Sequence, residues 1–252
     1  MIDRTRRRML ALPLALIATR VGADTIVYPD VRSGVPLRFP VDCGAHPSYR
    51  SEWWYVTGWL RDSDGREVGF QVTFFRNRPG IGEASDSRFA PRQLLFAHAA
   101  IADPAQQRLL VDQRAAREGF GLAFAGTGST DVRIDNWSLT QQADQYIARV
   151  NATAFALDIV LDARRPRLLQ GDAGISRKGV DPLDASFYYS EPQQAVSGSL
   201  SIGTRARNVT GVAWLDHEWS SRYLASGAVG WDWTGINLDD GGALMAFRIR
   251  DA

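Results

Sequence analysis

Between residues 50 and 220 the chain is built from short runs of alternating apolar and polar residues, broken by Gly, Asp, Asn and Pro. The period is two, not 3.6, so the runs predict strands. "EWWYVTGWL" (52–60) reads as a first strand, "RDSDG" as a turn with Asp64-Gly65 at its tip, and "REVGFQVTFFR" as the returning strand. "QLLFAHAAIA" follows a loop, "DPAQQ" turns it, and "RLLVDQRA" continues it. "FGLAFAG", "DVRIDNWSLTQ", "QYIARVNA" and "FALDIVLDA" form a meander, and "YYS", "VSGSLSIG" and "VTGVAWLDHEW" complete the series. Nine or ten strands with short connections and almost no helix predict an all-β fold, a closed barrel or a sandwich. A barrel removes exposed edges and can enclose a small ligand.

The pattern then repeats. "WYVTGWLRDSDG" (54–65) and "WDWTGINLDDG" (231–241) share a Trp, a Thr-Gly three residues on, and an acidic turn ending in Gly. The second copy needs one deletion. A repeat at this distance predicts two similar units. Residues 38–222 hold a full barrel, and 228–252 hold one hairpin. That hairpin is expected to be the start of a second, truncated barrel, or else to complete the first.

Alternation also sorts the chemistry. In the first strand Glu52, Trp54, Val56, Gly58 and Leu60 take one side, and Trp53, Tyr55, Thr57 and Trp59 the other. Glu52 therefore shares a side with an indole and apolar residues. Such a carboxylate either pairs with a cation, with Arg50, Arg76 and Arg92 as candidates, or stays protonated and can act as a general acid.

In "WLDHEWSS", Asp216 and Glu218 would share one side of a strand, His217 and Trp219 the other. His217 titrates in the useful range and is the expected proton donor or relay, with Glu52 as its alternative and Asp216 orienting the imidazole. The indoles of Trp53 or Trp54 and Trp219, with Tyr55, are expected to line an apolar pocket and face cationic charge. His98, in the apolar "LLFAHAA", is expected to sit deeper and hold the polar end of a ligand, or to be a satisfied core histidine. The three histidines, His46, His98 and His217, lack metal-ligand spacing, so no metal is expected. No phosphate loop or nucleophile elbow is present.

Composition narrows the class. The N-terminus "MIDRTRRRMLALPLALIATRVGAD" has a basic start, a short apolar run and a small-residue cleavage site after Ala23. It resembles a signal peptide of the twin-arginine type, the alternatives being a membrane anchor or a buried strand. Export to the periplasm, or secretion, with no membrane span after signal removal, is the expectation. Without residues 1–23 the chain has 24 basic and 27 acidic side chains, about −3, which does not favour nucleic acid. A single cysteine, Cys43, precludes an internal disulfide.

"FPVDCGAHPSYRSEWWYVTGWL", "LLFAHAAIAD", "QGDAGISRKG", "SFYYSEPQQAVSGSLSIG" and "VTGVAWLDHEWSS", followed by "GWDWTGINLDDGGALMAFRIR", resemble the AttH/carotenoid 1,2-hydratase family over about residues 38–252. The resemblance implies a lipocalin-like protein of two β-barrels. It implies a lipophilic small molecule as ligand and cofactor-free hydration or cyclisation by side-chain proton transfer. It also implies two alternatives: a periplasmic carrier tied to an ABC transport system, or a secreted ester or lactone hydrolase. The His-x-Trp pair of the hydratases falls on His217 and Trp219. Their Tyr-x-Asp pattern has no match here, since "GWDWTG" lacks the tyrosine.

Overall fold

A computed structural model describes residues 26–251. The expected export segment, residues 1–23, lies outside the described residues. The fold is all-β, as the period-two runs predict. Its strands are β1 (Ser51–Asp62), β2 (Glu67–Asn77), β3 (Leu94–Asp103), β4 (Arg108–Arg117), β5 (Ala123–Ala125), β6 (Asp131–Ile134), β7 (Trp137–Gln142) and β8 (Gln145–Asn151). They continue with β9 (Phe155–Asp162), β10 (Leu168–Leu169), β11 (Ile175–Arg177), β12 (Ala185–Ile202), β13 (Arg205–Ser220), β14 (Ala228–Asn237) and β15 (Ala243–Asp251).

Thirteen strands form one antiparallel sheet in the order β4-β3-β2-β1-β13-β12-β9-β8-β7-β6-β5, with β10 and β11 paired on β12. It curls into a nearly closed barrel. Two meanders, β1–β4 and β5–β9, are joined because β13 returns to pair with β1 along its whole length, from Ser51 opposite Ser220 to Asp62 opposite Val209. The count exceeds the nine or ten expected. "DVRIDNWSLTQ" breaks into β6 and β7 at a turn where Asp135 takes φ 55°, a left-handed value that Asp tolerates. "RLLVDQRA" is the separate strand β4. "YYS" and "VSGSLSIG" merge into the 18-residue β12.

β12 stays continuous by means of a bulge between Glu191 and Gln194. Pro192 has no N–H to pair, and a bulge tolerates it. The bulge keeps both Glu191 and Gln194 inside the barrel. It also turns Gln193 outward, where its backbone N–H and side-chain amide hold Asn237, Leu238 and Gly242.

The interior is a continuous apolar core including Trp54, Val56, Leu60, Phe70, Val72, Phe74, Leu139, Ile159 and Leu215. One barrel end is plugged by the segment before β1, which makes a single 3-10 turn at Val41–Cys43. Cys43 is fully buried there, and its carbonyl accepts from Trp54 Nε1 (3.1 Å) and Thr130 Oγ1 (2.7 Å).

β14 and β15 pair only with each other among the described residues. Residues 228–251 therefore neither complete the first barrel nor form a second closed one. The repeat holds at the turn: Gly65 (φ 80°) and Gly241 (φ 85°) occupy the same place in the two hairpins. It fails at the indoles. Trp54 points into the barrel, whereas Trp231 lies against its outside, parallel to Trp53 at 6.4 Å.

Candidate functional site: a two-faced wall of two strands

β1 and β13 lie side by side with Trp54 opposite His217 and Tyr55 opposite Asp216. Strand alternation then sends Glu52, Trp54, His217 and Trp219 into the barrel. Trp53, Tyr55, Asp216 and Glu218 go out of it. The expected site residues thus fall on two faces of one wall, and each face has its own chemistry.

The inner face is a sealed ion network. Glu52 Oε2 accepts from Arg76 Nε (2.8 Å), so Arg76 is the partner among the three arginines considered. Glu52 Oε1 meets His46 Nδ1 (2.7 Å) and His217 Nε2 (2.9 Å). Arg76 spends its other donors on the Tyr49 carbonyl and Gln93. His46 Nε2 reaches Asp42 (3.2 Å), and the ring lies flat on Trp219, centroids 3.8 Å apart. Burial opposes charge on His46, but hydrogen bonds to Asp42 and Glu52 outweigh it and raise its pKa, which favours an imidazolium over the indole. Burial likewise opposes charge on Glu52, yet the two histidines and Arg76 hold its carboxyl far below the ordinary range. Burial keeps His217 neutral and lowers its pKa, with Tyr189 Oη 3.2 Å from Nδ1. The two carboxylates, Asp42 and Glu52, thus face Arg76 and an imidazole whose charged form they favour.

His46, Glu52 and His217 present ligand atoms within 4.8 Å of one another, the composition of a metal site. Protons already join them, and a cation there would face Arg76. The inner face holds charge firmly.

The outer face borders open space. A cavity of about 330 Å³ is lined by Trp53, Tyr55, Thr73, Phe75, Tyr188 and Asp216, with Glu218, Trp231 and Trp233. β14 supplies its far wall. Trp233 Nε1 donates to Tyr188 Oη (3.0 Å), and its ring meets Tyr55 and Trp214 edge-on. A narrow arm of about 40 Å³, which shares Trp53, Tyr188, Glu218, Trp231 and Trp233 with it, lies against Lys178 and Phe247.

Asp216 is a perturbed carboxyl in the wall of this cleft. Only 3% of it is exposed, and Oδ1 accepts from Ser190 Oγ (2.5 Å) and Trp214 Nε1 (2.7 Å). Burial, aided by the nearby Glu218 charge and opposed by those hydrogen bonds, pushes its pKa up to about 7. No cation pairs with it among the described residues. A carboxylic acid that holds its proton near neutrality, beside aromatic walls, is equipped to donate it. The larger hollow at the opposite barrel mouth, about 400 Å³, differs in kind. Its carboxylates, Asp62 and Asp103, are already paired with Arg207 and Arg66.

Four expectations need correction. Asp216 does not orient His217, because consecutive residues of a strand face opposite sides. His98 is not deep: it is exposed on the outside of β3, edge-on to Phe75 at 5.3 Å. Trp54 and Trp219 pack around His217 inside the barrel and do not line the cleft. Glu52 and His217 do share an aromatic region, as expected, but it is closed. Trp53, Tyr55 and Asp216 line the cleft. Tyr188, Lys178 and Trp233 are not among the expected residues; the Tyr-Tyr-Ser run at 188–190 and the lone lysine are the signals that mark the first two.

The model of the family described as AttH-like matches residues 30–252. A solved structure described as an AttH, from Nitrosomonas europaea, is 50% identical with a TM-score of 0.81, over 88% of this chain and 68% of that one. Kievitone hydratase from Nectria haematococca shares the fold at 11% identity and a TM-score of 0.63, over 90% of this chain and 68% of that one. No curated protein matches the sequence.

Proposed function

The chain belongs to the AttH-like family, and from that premise we propose that it binds an apolar small molecule in the outer cleft and transfers a proton to it from Asp216. The observation that carries this reading is a buried carboxyl with its pKa near 7 in the wall of an aromatic cavity.

The chemistry runs without a cofactor. Asp216 donates its proton to an alkene carbon of the ligand, whose π pair forms the new C–H bond. The cationic carbon left behind faces the rings of Trp53, Tyr55 and Trp233. Water adds to it and returns a proton to the Asp216 carboxylate, restoring the acid. The sum is hydration; attack by an internal nucleophile in place of water gives cyclisation. Ser190 and Trp214 hold Oδ1 and so fix the direction in which the acid points. The inner network contributes rigidity, by locking β1 to β13 behind the cleft.

The reading carries a periplasmic location with it, supported by the basic and apolar pattern of residues 1–23. Its test is Asp216→Asn. Turnover on an alkene substrate should fall by roughly 10²-fold or more, with ligand retention kept. Unchanged turnover would remove Asp216 from the chemistry. Tight retention of lipophilic material by a wild-type protein that turns nothing over would instead make it a carrier, the role in which an ABC exporter partner fits.

A further inference from the structure

Of the 29 Lys and Arg residues in the chain, Lys178 alone is lysine. A sequence that meets every other need for positive charge with arginine has placed its one ammonium in the narrow arm of the cleft. Lys178 follows β11 and is only 7% exposed. Its Nζ contacts Glu218 Oε1 at 2.8 Å and Ser176 Oγ at 3.1 Å. It stands 4.2 Å from the Phe247 ring centroid and 5.1 Å from that of Tyr188. The third N–H has no oxygen partner among the described residues. An ammonium is a compact donor with rotatable protons; a guanidinium is a wide planar fork. Between a carboxylate and two rings the compact group fits, and it keeps one donor to offer.

We propose that Lys178 is the anion anchor of the cleft. The ligand class is then an apolar body carrying an ionised oxygen, such as a carboxylate, phenolate or enolate. The apolar body fills the wide arm beside Asp216, and the oxygen enters the narrow arm to take the third N–H of Lys178. Trp53, Tyr188, Glu218, Trp231 and Trp233 line both arms, so one molecule can span them. Glu218 keeps the ammonium in place and repels an anion that arrives without the apolar body to hold it. The inference rests on the cleft being the ligand site.

The test uses the full chain and two probes of matched shape, 2-naphthoate and 2-naphthalenemethanol. Labelling with lysine carrying ¹³C at Cε gives a single lysine signal. Saturating 2-naphthoate should shift that signal and 2-naphthalenemethanol should not. By tryptophan quenching, Lys178→Met should bind 2-naphthoate about 10-fold or more weakly, the loss of one charge-assisted hydrogen bond, and 2-naphthalenemethanol unchanged. Removing Lys178 alone strands Glu218, so the double variant Lys178→Met/Glu218→Gln repeats the measurement with both charges gone. A signal that ignores 2-naphthoate, or a double variant that binds it as Glu218→Gln alone does, overturns the anchor while leaving the cleft. Failure of both probes to bind wild-type protein overturns the anchor and the cleft together.

Discussion

Asp216 and His217 are joined by one peptide bond and work on opposite sides of a wall. His217 faces the barrel interior and touches Glu52 at 2.9 Å; Asp216 faces the cleft and touches Ser190 and Trp214. The first belongs to a neutralised, sealed network, and the second keeps a proton that it can lend.

The raised Asp216 pKa makes stability depend on pH in a definite direction. The folded chain binds this proton up to about pH 7, while the unfolded chain releases it near 3.8. The stabilising contribution is therefore complete below about pH 3.8 and is lost as pH rises through about 7. Compared with Asp216→Asn, wild-type protein should lose relative stability across that window in urea titrations and hold level above it. A flat difference would mean an ordinary carboxylate.

Glu52 titrates in the opposite sense. Its pKa is depressed on folding, so its contribution is present above its ordinary value of 4.5 and is lost as pH falls through the strongly acid range. Glu52→Gln leaves Arg76 buried without its anion and should cost about 3–5 kcal/mol. Its acid unfolding transition should also flatten. Where the variant remains folded, 2-naphthalenemethanol affinity should be intact, because no inner-face residue lines the cleft.

Trp233→Ala removes the far wall of the cleft and the hydrogen bond to Tyr188. Affinity for 2-naphthalenemethanol should fall about 10-fold, while the barrel's urea midpoint moves little, since β14 pairs with no barrel strand.

At Gly58 the two strands approach too closely for a side chain: a Cβ there would stand 2.3 Å from the carbonyl oxygen of Val212. Gly58→Ala forces β1 and β13 apart and should destabilise the fold by about 1–3 kcal/mol in urea denaturation.

Cys43 has no exposure, and burial pushes its thiol pKa up. A thiol reagent should leave the native protein unlabelled and react one-to-one in denaturant.

Alternation made much of this legible in the sequence. It separated Glu52 and Trp54 from Trp53 and Tyr55, and Asp216 from His217. It does not say which side is the interior, so Glu52 and Trp53 were expected around one pocket. Nor does it give register between strands so far apart in sequence, which is what sets Tyr55 opposite Asp216. His98 carries no such mark because alanines flank it: Ala97 and Ala99 point inward and His98 outward, and so small a side chain as alanine gives almost no directional signal. The cleft itself depends on β14 meeting Tyr55 and Tyr188, a contact with no local signature.

The pairing of β1 with β13 also has a consequence for synthesis on the ribosome. The first barrel strand to emerge finds its second neighbour only when residue 220 is out of the exit tunnel. Until then Glu52 has Arg76 but lacks His217, and the β1 backbone is unpaired along one side. Sequence separation of this order makes closure slow and late. A nascent chain pulled at successive lengths should therefore register one strong folding event after β13 clears the tunnel, with no comparable step when the β1–β4 meander does.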